Sequence, residues 1–105
     1  MADYVQVVTT TDSEEAAAEL ARGVVAARGG ACAQVVPIRS FYRWEGQVRD
    51  DPEWQVQIKT TAARADFLIE HLRQHHSYEV PEIIVLPVVA GHDQYLAWLD
   101  EETRA

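Results

Sequence analysis

Two adjacent histidines, His75 and His76, are the side chains of this chain best suited to hold a metal. Imidazole nitrogen suits Cu(II), Zn and Ni. Neighbouring side chains in an extended segment point in opposite directions, so a single ion does not readily take both. The plainer reading is one surface histidine and one hydrogen-bonded at a cleft. His71 lies one helical turn before His75, a spacing that can bind a metal on one helix face but is often fortuitous. Cys32, the single cysteine, offers a soft thiolate for Cu(I). Set between alanines at the start of a strand, it reads more readily as a buried, inert thiol. A second group joins Tyr42, Trp44, Glu53, Lys59, Tyr78, Glu79, Glu82 and Trp98, mostly at strand ends and in a linker. One lysine among carboxylates and aromatics could hold an anion or a small polar ligand. It could equally form a structural ion pair that fixes register. There is no phosphate-binding glycine loop, zinc motif or Ser/His/Asp triad, so no catalytic activity and no organic cofactor are expected.

The stretch from Cys32 to Thr60 must position most of these residues. In its second arm Trp54, Val56 and Ile58 alternate with Gln55, Gln57 and Lys59, the period of a half-buried strand. Its first arm is rich in β-branched and aromatic residues, and Gly46 supplies the positive φ of a tight turn. Two arms of about 13 residues would reach roughly 40 Å, against roughly 35 Å for the diameter of a compact domain of this size. The hairpin should overhang its own body and seek cover, most simply from another copy of the chain. A kink at Asp50-Asp51-Pro52 would shorten it, since Pro52 cannot donate to a ladder.

The remaining elements follow in order. Tyr4 to Thr11 reads as a central strand, buried on both faces. Asp12 and Glu15 make a capping box for a helix carrying Ala16, Leu20, Val24 and Ala27 at helical spacing, stopped by Gly29-Gly30. Thr60 or Thr61 should cap a second helix from Ala62 to His75 with Leu68 and Leu72 as its stripe. Pro81 keeps the next segment out of a helix. Ile83 to Leu86 is a buried strand ended by Pro87. Gly91 and Asp93 open a last helix with Tyr95, Leu96, Trp98 and Leu99 apolar, and Asp100-Glu101-Glu102 frayed. The order β-α-β-β-α-β plus a helix predicts an α+β, ferredoxin-like antiparallel sheet with both main helices on one face.

Composition narrows the classes. The 105 residues predict one domain spanning 1–105. Seventeen acidic residues against nine basic ones, a net charge of −8, argue against nucleic acid and anionic membrane surfaces. No apolar run has the roughly 20 residues of a membrane span, and no basic-then-apolar leader is present. The expected compartment is the cytoplasm. Eight of the nine basic residues are arginine, which leaves Lys59 as the one lysine.

Several motifs stand in register along nearly the whole chain. They are Val8-Thr9-Thr10, Ala31-Cys32, Ser40-x-Tyr42-x-Trp44-x-Gly46, Glu53 leading to Ile58-Lys59-Thr60-Thr61, His76-x-Tyr78-Glu79-x-Pro81-Glu82-Ile83, and Tyr95-Leu96-x-Trp98. Together they resemble the CutA divalent-cation tolerance family. The resemblance implies a PII-like ferredoxin fold and a homotrimer built through the long hairpins. It also implies a role in tolerance of divalent metals, chiefly copper, without catalysis. His75, His76 and Cys32 are then the metal candidates for Cu2+ or another divalent cation, and the second group would line clefts between subunits. The alternative is a PII-like sensor holding a small metabolite or nucleotide in those clefts. The chain departs from the family where metal-binding members carry a first-strand cysteine and it has Thr9, and where His-Pro-Tyr becomes His76-Ser77-Tyr78.

Overall fold

The computed structural model describes residues 3–104. Four strands and three α-helices alternate as β1 (Tyr4–Thr11), α1 (Glu14–Ala26), β2 (Cys32–Trp44), β3 (Gln47–Thr61), α2 (Ala65–His75), β4 (Ile83–Pro87) and α3 (Asp93–Glu102). One sheet has the order β2-β3-β1-β4, with every pair antiparallel. This is the ferredoxin-like arrangement the element order predicts. β1 is central, flanked by β3 and β4.

The alternation along the strands sorts side chains onto two faces. Val5, Val7, Val56 and Ile58 join Ala17, Leu20 and Val24 of α1 and Leu68 and Leu72 of α2 in one buried cluster. Fully burying each large aliphatic side chain contributes about 1.5–3 kcal/mol, so this helix-covered face carries the core. The other face presents Gln6, Gln55, Gln57 and Lys59, with Ile84 and Leu86 on β4. α3 packs beside this second face, with Leu99 buried outside the main cluster.

The hairpin is as long as its pattern predicts. β2 and β3 pair without a break from Cys32↔Lys59 to Trp44↔Gln47. The body measures 44 × 25 × 21 Å, so the ribbon extends one axis to about twice the others. Pro52 does not kink it: it sits in register opposite Arg39. Arg39 forks onto Asp50, Nε to Oδ1 at 2.9 Å and Nη2 to Oδ2 at 2.8 Å, and this bidentate grip fixes the register near the tip. Glu45 (φ 50°) and Gly46 (φ 76°) both take left-handed conformations in the two-residue turn. Phe41, Trp44 and Val48 beside it are 63%, 53% and 70% exposed.

Six details depart from expectation, most of them at element ends. Ser13, not Asp12, caps α1: its hydroxyl accepts from Ala16 N at 3.0 Å, because β1 holds the chain extended through Thr11. Ala17, rather than Ala16, is the buried residue of the first turn. The left-handed residue after α1 is Arg28 (φ 59°), not a glycine; Gly30 is needed instead for close approach, since a Cβ there would lie 2.3 Å from Ile58 Cγ2. Neither Thr60 nor Thr61 caps α2 through its side chain, because both are paired in β3 and a 3₁₀ turn, Ala62–Arg64, intervenes. His92 caps α3, accepting from Tyr95 N, and the acidic end is helical rather than frayed because Thr103, 2% exposed, donates to Leu99 O at 2.8 Å.

Candidate functional site

The linker after α2 is tied down by its own side chains. His76 Nδ1 accepts from the Tyr78 amide at 3.0 Å, so the ring proton sits on Nε2 and is donated to Thr10 O at 2.8 Å. The two rings lie 5.0 Å apart. Tyr78 then reaches β3, where its phenol donates to Glu53 Oε2 at 2.8 Å. Thr9 Oγ1 donates to Glu82 O at 2.7 Å and anchors the far end of the linker on β1. Next along the ribbon, Tyr42 donates to Asp51 Oδ2 at 2.6 Å.

This end of the sheet is acidic. Burial, with the Glu53 carboxylate second and Asp12 and Tyr42 further off, pushes the Tyr78 phenol well above its ordinary range. The hydrogen bond to Asp51 chiefly raises that of Tyr42. Both phenols therefore stay protonated donors and hold their carboxylates in place. The arrangement can offer oriented carboxylate oxygens to a cation or to a hydrogen-bond donor.

Strand parity puts Cys32, Tyr42, Trp44, Glu53 and Lys59 on the face away from α1 and α2. They fall into two patches on that face. Glu53 and Tyr42, with Tyr78, lie toward the hairpin. Lys59 pairs in register with Cys32 at the other end, where its ammonium contacts Gln34 Oε1. Tyr95 of α3 faces the Cys32 thiol, and burial and that sulfur raise its phenol. The Trp98 ring lies 5.7 Å from that of Tyr95 and is 41% exposed. From Glu53 to Lys59 is six residues, about 20 Å along the strand. Glu79 is exposed in the linker, and Glu82 contributes its backbone carbonyl. Asp51 and Gln34 were not singled out from the sequence, although their parity in the ribbon places both on this face.

The three metal candidates point apart. His75 closes α2 and turns into a groove of about 240 Å3 between α1 and α2, where its ring stacks on His71 at 4.2 Å. His76 points to the end of β1. Cys32 lies level with Gln6, four residues or about 13 Å along β1 from Thr10. Among the described residues no group of three or more His, Cys, Asp or Glu side chains converges on one point.

Residues 5–102 match the family described as CutA1 divalent ion tolerance protein. The chain belongs to that family. It is 42% identical over 99 residues to the chloroplastic protein CutA of Arabidopsis thaliana, covering 93% of this chain and 54% of that protein. It thus spans about half the length of that plant relative. It is 41% identical over 101 residues to the divalent-cation tolerance protein CutA of Escherichia coli, covering 95% of this chain and 90% of that one. The structure of CutA from Synechococcus elongatus PCC7942 superposes with a TM-score of 0.95 at 36% identity, over 99% of this chain and 93% of that chain.

Within the CutA1 frame, the donor chemistry of the described residues does not make a closed cation site in one protomer. Both nitrogens of His76 are spent on backbone groups, and the Thr9 hydroxyl is spent on Glu82. His75 differs: it donates Nδ1 to His71 O at 2.8 Å and keeps Nε2 uncommitted. No helix among the described residues is long and apolar enough to cross a membrane.

Proposed function

We propose that this chain acts in tolerance of divalent cations, copper foremost, as a non-enzymatic homotrimer in the cytoplasm, a single domain with no nucleic-acid or membrane partner. The match to the CutA1 family over residues 5–102 carries the divalent-cation reading. The trimer draws on the resemblance and on the unfinished second face of the sheet. There the edge strand β4 leaves Ile84 46% and Leu86 43% exposed and the ribbon carries Trp44 into solvent, while Phe41 and Val48 stand exposed on the ribbon's opposite face. An apolar edge strand and an aromatic overhang both need a partner to avoid indiscriminate pairing. Copies meeting on that face would set the Tyr78–Glu53 patch of one subunit near the Lys59–Cys32 patch of the next, which would complete clefts that one protomer leaves open. Lys59, the cation a phosphate-binding sensor would rely on, is already engaged by Gln34, so the metabolite-sensor reading is not carried further.

Two measurements test this. Sedimentation at micromolar concentration should give the mass of three chains; a lone, folded protomer would remove the clefts. Calorimetry should show Cu(II) binding that weakens when His75 or Cys32 is replaced, and His76, with both nitrogens bonded to the backbone, should matter less. A flat Cu(II) isotherm for the wild type would sink the metal-binding part of the reading.

A further inference from the structure

We infer that His75 pairs with His71 rather than with His76, and that the two imidazoles form a chelating site for a borderline divalent cation in the groove between α1 and α2. This rests on the metal-binding part of the reading above and locates it away from the subunit clefts. Four observations support it. First, the two residues are one turn apart on α2 with ring centroids 4.2 Å apart, close enough that a turn of the stacked rings about their side-chain torsions brings one nitrogen of each to a shared ion. Second, His75 Nδ1 faces a carbonyl oxygen, which can only accept, so the proton is on Nδ1 and the Nε2 lone pair is free. A ligating histidine ordinarily shows this same bond from its other nitrogen to a backbone carbonyl, which fixes tautomer and orientation.

Third, the rings border a groove of about 240 Å3, with Glu19 of α1 on the opposing wall. Fourth, Thr11 lines the same groove, and its Oγ1 is fully buried without a hydrogen-bond partner. A buried hydroxyl without a partner is costly unless a bound group or a metal-held water satisfies it. Two nitrogens supply part of a coordination shell, with Glu19 available to neutralise charge and water to fill the remaining positions. Imidazole donors favour Cu(II), then Ni(II) and Zn(II), over the hard ions Mg(II) and Ca(II). His76 is no competitor here, because both of its nitrogens are bonded to the backbone.

Calorimetry with Ni(II), which thiols do not reduce, provides the test on the full chain, with Cu(II) titrated in a Cys32→Ser background. His71→Ala and His75→Ala should each weaken binding at least about tenfold, since even an outer-shell partner is worth that much. The double variant should bind more weakly than either single one, though by less than the two losses multiplied together. Cu(II) paramagnetic resonance should show coupling to two imidazole nitrogens that falls to one or none in His71→Ala. His71→Gln, with circular dichroism as the fold control, separates ligand loss from unfolding. If His71→Ala and His71→Gln bind as wild type while Cys32→Ser or His76→Ala abolishes binding, this inference is overturned and metal binding in the clefts stands. If the wild type binds neither ion, both fall together.

Discussion

Tyr78 donates a hydrogen bond from its phenol to Glu53 Oε2 across 2.8 Å, joining the linker after α2 to the middle of β3. The bond spans 25 residues and holds a carboxylate at the end of the sheet where His76 and Thr9 also fasten the linker. Tyr78→Phe removes the donor and leaves Glu53 short of one partner in a partly buried place. A hydrogen bond to a charged acceptor contributes about 1.5–3 kcal/mol, and partial exposure puts the expected loss at the lower end. Glu53→Gln keeps an acceptor and should cost less. Urea unfolding at fixed protein concentration measures both. Equal losses for the two would mean that a neutral acceptor cannot replace the carboxylate in this bond.

Gly30 and Gly46 should respond to alanine for different reasons. At Gly30 the new methyl would meet Ile58 Cγ2 at 2.3 Å and Val24 Cγ1 at 3.2 Å, inside the core. Overpacking of that kind costs about 1–3 kcal/mol. At Gly46 there is open space, but φ is +76°, where a side chain costs about 1–2 kcal/mol. Asparagine, which tolerates that conformation, should restore most of the loss at Gly46 and none at Gly30. Thermal unfolding of the four variants decides it, and rescue by asparagine at both positions would contradict the core clash at Gly30.

The ribbon was legible because its information is local: a period of two in Trp54 to Lys59, a glycine at the turn, and arms longer than the body. The same parity puts Cys32, Tyr42, Trp44, Glu53 and Lys59 on one face without further help. What stayed hidden depends on contacts distant in sequence. The ring of His76 meets Thr10 O, 66 positions away, and no spacing rule reports that its nitrogens are spent. Asp12 and Ser13 are both good caps, and the extent of β1 chooses between them. Arg28 takes the left-handed conformation beside two glycines because Gly30 is committed to Ile58. The groove that receives His75 comes from two helices separated by the whole ribbon, so His71 could be weighed only as a spacing.

His71 should make the protein sensitive to mild acid. Burial, then the neighbouring His75, lowers its affinity for a proton below that of an ordinary histidine. The groups facing it are His75 on α2 and Glu19 across the groove on α1. A lowered folded-state value means that the unfolded chain takes up the proton first. Stability is therefore intact above about pH 6.5 and falls as the pH drops through that value, until the folded-state value is passed. His71→Gln should flatten the decline in melting temperature between about pH 7.5 and pH 5.5. Scanning calorimetry at matched concentration measures it, and parallel declines in variant and wild type would assign the acid sensitivity elsewhere.

Leu86 should decide assembly without deciding the fold. It lies on β4 in register with Gln6, on the sheet face away from α1 and α2, and is 43% exposed in the single chain. Leu86→Lys would add a charge where copies are proposed to meet, and a buried unpaired charge costs several kcal/mol at each contact. Within the protomer the same lysine can extend into water, so secondary structure should persist. Sedimentation at micromolar concentration should show the trimer shifting toward single chains. Val89→Lys is the matched control: Val89 lies just beyond β4, is 92% exposed, and should leave assembly unchanged. If Leu86→Lys sedimented as wild type, the open face of the sheet would not be the surface on which copies meet, and the ribbon alone would have to join them.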